Sequence, residues 1–108
     1  MMSKTRITKA EAIYTGGNIW IFYGELADGN YFLCDDNGWA RFLSEDPRID
    51  FEESCYEDWQ EERLVRDLEG RERELFCWEM IDWLKAHPED RGGMTELEME
   101  SYRTYLIC

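Results

Sequence analysis

The run Ile-Trp-Ile-Phe-Tyr at residues 19–23 constrains the fold of this chain more than any other segment. A strand with one face in water alternates apolar and polar side chains, and this run does not alternate. It presents apolar side chains to both sides of any sheet that contains it. The formal charge of the chain is nevertheless −13 at pH 7, so both apolar sides need a cover from the chain itself or from another protein.

Strand-forming runs separated by glycine-containing dipeptides occupy the first part of the chain. The dipeptides are Gly16-Gly17, Asp28-Gly29 and Asn37-Gly38. Each accepts the positive φ angles that a two-residue hairpin turn requires. The spacing therefore predicts a four-stranded antiparallel β-meander over residues 1–43.

Two-residue turns would also fix the register of this meander. The predicted opposing pairs are Tyr14 with Ile19, Tyr23 with Cys34, and Asp36 with Trp39. In that register one face carries Ala10 and Ala12, and their small side chains favour it as the face that helices cover. The other face would carry an aromatic patch for binding a partner, made of Trp20, Phe22, Tyr31, Leu33 and Phe42. Either the C-terminal helix or residues 44–54 cover this patch, or it is exposed and binds another chain.

Helical signals dominate the second half, after an acidic connector at residues 44–53. Ser54 and Glu57 have capping-box spacing and predict a helix from Ser54 to Leu68. A second apolar stripe at helical spacing predicts another helix, which ends at residue 87 because the next residue is a proline. Thr95 and a glutamate three residues later predict a short third helix. Strands followed by two to three helices on one sheet face, over residues 1–108, predict a single α+β domain with its helical part at residues 54–108.

The acidity is concentrated in the middle of the chain. Residues 44–70 hold three basic and eleven acidic side chains, a formal balance of −8. Such a surface repels nucleic acid and anionic membranes, and it attracts a basic protein. The residues predicted to bind such a partner by charge are Glu53, Glu57, Asp58, Glu61 and Glu62. Glutamates at i, i+4 spacing could imitate the phosphates of a DNA strand, or could simply form a solvated face that keeps the protein soluble.

No motif in the chain carries recognisable reaction chemistry. The only histidine, His87, precedes a proline at a predicted helix end, where it fits as a dipole partner. Four separated cysteines, at positions 34, 55, 77 and 108, have no metal-site spacing and read as free thiols of a reducing compartment. We therefore predict a non-enzymatic protein without a cofactor or metal. The chain has no transmembrane run or signal peptide, which predicts a cytoplasmic location.

The segment IYTGGNIWIFYGELADGNYFLCDDNG, followed by EDWQEE, resembles small acidic proteins carried by bacterial phages and mobile elements. The resemblance implies an inhibitor of a host defence protein that handles nucleic acid, of the antirestriction or anti-CRISPR type. It brings no residue roles with it. The resulting prediction is an acidic protein-binding module that uses charge mimicry and an aromatic anchor patch. The alternative is a homodimer joined through Trp20, Phe22, Tyr31 and Phe42, with acidity serving solubility alone.

Overall fold

The protein is described by a computed structural model over residues 6–14, 20–35, 39–47 and 56–106. Its elements are β1 (Ile7–Tyr14), β2 (Trp20–Leu26), β3 (Tyr31–Asp35), β4 (Ala40–Leu43), α1 (Tyr56–Arg63), β5 (Leu64–Asp67), α2 (Gly70–Ala86), a 3-10 helix (Pro88–Asp90) and α3 (Glu96–Leu106). The strands form one antiparallel sheet in the order β1-β2-β3-β4-β5. The predicted α+β class is confirmed, with five strands in place of four.

The fifth strand replaces the last third of a predicted helix. The helix predicted over residues 54–68 ends at Arg63, and Leu64–Asp67 pairs antiparallel with β4. The Leu68 amide continues this pairing by donating to the Ala40 carbonyl at 3.0 Å. Without the strand, the outer edge of β4 would leave its backbone groups unpaired, and satisfying them outweighs about one and a half more turns of helix.

The predicted register is wrong by one residue in each hairpin. Tyr14 lies opposite Trp20, and Cys34 lies opposite both Phe22 and Ala40. The β2–β3 connection shows the reason, because three residues form the loop where two were expected. Gly29 closes that loop at φ +91°, a conformation that glycine adopts without steric cost.

Shifting the register exchanges side chains between the two faces of the sheet. One face, which the helices cover, carries Ala10, Ala12, Trp20, Phe22, Phe32, Cys34, Ala40 and Phe42. The opposite face carries Ile13, Ile21, Tyr23, Tyr31, Leu33, Arg41 and Leu43. A bulge between Ile7 and Lys9 returns Ile7 to the helix-covered face, where it joins the core. The expectation that helices cover the alanine-bearing face is therefore correct, but the aromatic residues share that face.

The main core lies between this face and α2, with α3 packed beside α2. The buried stripe of α2 comprises Phe76, Cys77, Met80, Ile81 and Leu84. The sequence periodicity predicts these five residues together with Trp83, which is partly buried and packs against the same core. The predicted cap of α3 is also confirmed, because the Thr95 amide donates to Glu98 Oε1 at 3.1 Å and the Glu98 amide donates to Thr95 Oγ1 at 3.2 Å.

A smaller cluster covers the second face of the sheet. Tyr23, Leu33 and Leu43 are buried there. Pro47 is fully buried, and Gln60 of α1 is buried with a hydrogen bond to Arg41 of this face. Both sides of the apolar run in β2 are thus covered within the chain.

Candidate protein-binding surface

The predicted aromatic patch does not form a single exposed surface. Trp20, Phe22 and Phe42 lie on the helix-covered face, whereas Tyr31 and Leu33 lie on the opposite face. Phe22, Leu33 and Phe42 expose 3% or less of their surface. The patch prediction is wrong because the one-residue shift separates its members and the core buries three of them. The same burial keeps Phe22 and Phe42, two of the four residues predicted to join a homodimer, out of contact with a second chain.

The predicted acidic residues fall into two groups. Glu53 lies outside the described residues, and the side chains of Glu57 and Asp58 in α1 are likewise outside them. Glu61 and Glu62 are exposed at the end of α1. Glu61 Oε1 lies 3.6 Å from Arg41 Nη1, and Glu62 accepts a hydrogen bond from the neighbouring Arg63. The described part of the acidic helix is therefore exposed, and each of its two glutamates has an arginine beside it.

An exposed tryptophan stands next to these glutamates. Trp39, just before β4, exposes 36% of its surface. Its amide donates to Asp35 Oδ1 at 3.1 Å, and its carbonyl accepts from the Asp35 amide at 3.0 Å. The Arg41 guanidinium lies 4.4 Å from the centre of the indole ring, so it supports one side of the ring by a cation–π contact. The indole is thus held in place while part of it faces solvent.

Two open clefts meet at Trp39. The first has a volume of about 430 Å³, and its lining consists of Asp35, Trp39, Arg41, Gln60 and Glu61. The second has a volume of about 530 Å³, and its lining consists of Trp39, Ala40, Asp67, Leu68, Glu69, Gly70 and Arg73. Together they bring four carboxylates and two guanidinium groups to the tryptophan, a formal balance of −2. We call Asp35, Trp39, Glu61, Asp67 and Glu69 the Trp39 surface.

Arg41 joins the elements that build the Trp39 surface. Its Nε donates to Asp67 Oδ1 of β5 at 2.9 Å, and its Nη1 donates to Gln60 Oε1 of α1 at 3.3 Å. The Arg41 side chain is only 10% exposed, whereas the Asp67 side chain is 44% exposed, so the pair is partly screened by water. One buried arginine therefore fixes α1, β4 and β5 around the tryptophan.

The ends of α1 and β5 are held by further ion pairs. Arg63 Nε donates to Glu45 Oε2 at 3.2 Å, and Arg63 also donates to Glu62. Both hydrogen bonds raise the pKa of Arg63. Arg66 donates through both terminal nitrogens to Glu72 of α2, at 2.6 Å each. The bonds from Arg66 lower the pKa of Glu72 and keep this carboxylate ionised. Arg63 and Arg66 thus hold α1 and β5 against neighbouring parts of the chain.

The histidine is engaged within its own helix end. His87 stacks on Trp83, with ring centres 3.6 Å apart, and its Nδ1 lies 2.8 Å from the Trp83 carbonyl oxygen. Within residues 6–14, 20–35, 39–47 and 56–106, no group of three or more His, Cys, Asp or Glu residues is placed to hold a metal ion. Among the helices of these same ranges, none is long and apolar enough to cross a membrane.

No known family model, curated protein or solved structure matches this chain. The residues themselves therefore carry the functional argument.

Sequence reasoning missed Trp39 and Arg41 as parts of a site. It placed Trp39 on the helix-covered face, because the two-residue turn at Asn37-Gly38 sets that register. One available signal was the unusual Trp-Ala-Arg-Phe pattern of residues 39–42, which puts an arginine inside a strand between apolar neighbours. A charged residue in that position needs a partner, and Asp67 supplies it.

Proposed function

We propose that this chain is a non-enzymatic binding module that recognises a basic protein through the Trp39 surface. The observation that carries the proposal is the position of a fixed, partly exposed indole between two open clefts with carboxylates at their rims. Tryptophan is among the residues that contribute most to binding energy at protein interfaces. Its surroundings favour a lysine or arginine of the partner over an acidic or neutral side chain.

The rigidity of the site supports this role. The Arg41 guanidinium braces the indole, and its hydrogen bonds to Asp67 and Gln60 hold two further elements in place. A side chain that is already ordered loses little conformational entropy when a partner binds. Trp39 therefore offers its contact area at a low entropic cost.

The exposed glutamates would act at a different stage of binding. Glu61 and Glu62 are exposed at the rim, where charge attracts a partner of opposite sign over a distance of about 10 Å at moderate salt. Charges at a rim increase the association rate more than they increase the affinity. The net charge of −13 for the whole chain acts in the same direction.

The partner class that we propose is a nucleic-acid-handling host protein, with this chain as its inhibitor from a mobile element. Grooves that bind nucleic acid are rich in lysine and arginine, because these residues neutralise phosphates. An acidic surface competes with nucleic acid for such a groove. The support for this class is the charge of the Trp39 surface and the resemblance to small acidic proteins of mobile elements.

The test is a comparison of proteins captured from a bacterial lysate by the immobilised wild-type chain and by two variants of equal charge. One variant is Glu61→Gln/Glu62→Gln, which removes one carboxylate of the Trp39 surface and the exposed carboxylate that follows it in α1. The control is Glu89→Gln/Glu96→Gln, which removes two exposed carboxylates from the 3-10 helix and α3. Quantitative mass spectrometry measures each captured protein at low and at high salt.

The proposal predicts a basic protein that the wild type and the control retain equally and that the first variant loses at moderate salt. Equal loss from both variants would mean that only total charge matters. In that case the Trp39 surface would have no specific role.

A further inference from the structure

The side chain of Glu69 contributes nothing to the described fold. Glu69 lies between β5 and α2 and occupies the N-cap position of α2. Residues with short polar side chains are usual at this position, because they accept hydrogen bonds from the first helix amides. Glu69 makes no such bond, and within the described residues no hydrogen bond or ion pair engages its exposed carboxylate. The charge of Glu69 is therefore available to a partner.

The backbone places Glu69 beside Trp39. Arg41 lies opposite Asp67, and the amide that follows Asp67 donates to the carbonyl of the residue before Arg41 at 3.0 Å. Glu69 is itself extended, with φ −142° and ψ 158°, so the same register continues and brings Glu69 level with Trp39. Side chains of directly opposed residues share one face of the sheet, with Cβ atoms about 5 Å apart. The Glu69 carboxylate thus stands next to the indole.

The second cleft, with a volume of about 530 Å³, contains both side chains. Arg41 lines the first cleft but not the second, so its guanidinium does not cover the side of the indole that faces the second cleft. The Asp67 carboxylate is already paired with Arg41. With Arg73 in its lining as well, the second cleft holds two carboxylates and one guanidinium, a formal balance of −1. This cleft therefore suits one positive charge that can lie flat against an indole.

We propose that Trp39 and Glu69 form a seat for one arginine side chain of the basic partner, which we call the arginine seat. The guanidinium stacks on the indole in the second cleft and donates two hydrogen bonds to the Glu69 carboxylate. Its flat shape and paired N–H groups fit both partners, whereas a lysine ammonium is compact, strongly hydrated and has no flat face. The inference rests on the proposed function, because it specifies which partner side chain the Trp39 surface binds.

The experiment compares two probes of equal charge, the capped tripeptides Gly-Arg-Gly and Gly-Lys-Gly. Each is titrated into the full chain labelled with nitrogen-15, and NMR follows the indole N–H signal of Trp39, which a Trp39→Phe variant assigns. The signals of the other four tryptophans report binding elsewhere on the protein. Glu69→Gln removes the carboxylate of the seat. The control Glu96→Gln removes one exposed carboxylate of α3 and carries the same change in charge.

We expect the arginine tripeptide to shift the Trp39 signal with a dissociation constant in the millimolar range. The lysine tripeptide should bind at least about twofold more weakly. Glu69→Gln should weaken binding of the arginine tripeptide about three- to fivefold, whereas Glu96→Gln should leave it unchanged. Circular dichroism should show that both variants are folded, because neither side chain supports the fold.

Equal affinity for the two tripeptides would overturn the assignment of arginine. A Trp39 signal that does not shift, or equal effects of Glu69→Gln and Glu96→Gln, would overturn the arginine seat itself.

Failure of the arginine seat can be distinguished from failure of the proposed function. A captured basic protein whose binding depends on Trp39 but not on Glu69 would refute the arginine seat and leave the proposed function standing. Arginine binding at the seat without any captured basic protein would refute the proposed function and leave the seat standing.

Discussion

Arg41 of β4 and Asp67 of β5 lie directly opposite each other in the sheet and form an ion pair with Nε and Oδ1 2.9 Å apart. The pair does more than join two strands. It holds the guanidinium beneath the Trp39 indole, 4.4 Å from the ring centre. The strand that the sequence did not predict therefore supplies the carboxylate that positions the proposed binding surface.

Removing this arginine should destabilise the fold. Arg41→Met leaves the Asp67 carboxylate and the buried Gln60 amide without their donor, and we expect a loss of about 2 kcal/mol in the free energy of unfolding. Urea denaturation followed by tryptophan fluorescence measures the loss. Arg41→Lys keeps the charge but not the guanidinium geometry. Its free energy of unfolding should lie between those of the wild type and Arg41→Met. A loss below about 0.5 kcal/mol for Arg41→Met would show that the network contributes little.

The register of β2 can be tested through two aromatic residues. Phe22 is completely buried, and Phe22→Ala should cost about 3–5 kcal/mol of unfolding free energy. Trp39→Ala removes a partly exposed ring and should cost about 1 kcal/mol. Thermal and urea unfolding of both variants provide the comparison. A mild effect of Phe22→Ala would contradict the burial of this side chain in the main core.

Gly24 in β2 should not tolerate a methyl group. A Cβ at this position would lie 1.9 Å from the Lys9 carbonyl oxygen and 2.6 Å from the Phe32 ring. We expect Gly24→Ala to cost about 3 kcal/mol or more, since backbone must shift to relieve the overlap. Gly29→Ala is the control, because a Cβ at Gly29 would meet nothing within 4 Å. Only the positive φ angle of Gly29 disfavours alanine there, at a cost of about 1 kcal/mol. Equal effects in urea denaturation would mean that close packing at Gly24 is not the cause.

The Arg66–Glu72 pair should give stability that disappears in acid. The pKa of Glu72 is lowered from an ordinary value of 4.5, chiefly by the hydrogen bonds from Arg66. Its contribution is therefore complete above pH 4.5 and is lost as the pH falls below that value toward the folded-state pKa. Both side chains are about half exposed, so we expect less than about 1 kcal/mol.

The measurement is the difference in unfolding free energy between the wild type and Glu72→Gln from pH 7 to pH 3. We expect a constant difference above about pH 5 that shrinks in more acidic solution. A difference that grows as the pH falls would reverse the assigned sign.

Hydrophobic periodicity predicted much of the fold because it depends on local spacing. The buried stripe of α2 from Phe76 to Leu84 and the cap formed by Thr95 and Glu98 follow from neighbours within a few residues along the chain. The general order of strands and helices follows in the same way. These features required no knowledge of distant contacts.

The parts that failed depend on contacts between distant residues. Glycine dipeptides indicate where hairpins turn, but a loop of three residues and a loop of two contain the same dipeptide and place side chains on opposite faces. Leu64–Asp67 continues a helical pattern, and only the open edge of β4 explains its pairing as a strand. The Trp39 surface combines both effects, which is why the sequence indicated Glu61 but not the tryptophan or the other three carboxylates of this surface.

The dissociation constant for the captured partner tests most directly whether a basic protein binds through Trp39. Calorimetry would compare the wild type with Trp39→Ala, after circular dichroism shows that both are folded. We predict that binding weakens by at least about 30-fold, the effect of losing an interface residue that contributes about 2 kcal/mol. A dissociation constant that changes less than about twofold, roughly 0.4 kcal/mol, would show that Trp39 does not anchor the partner.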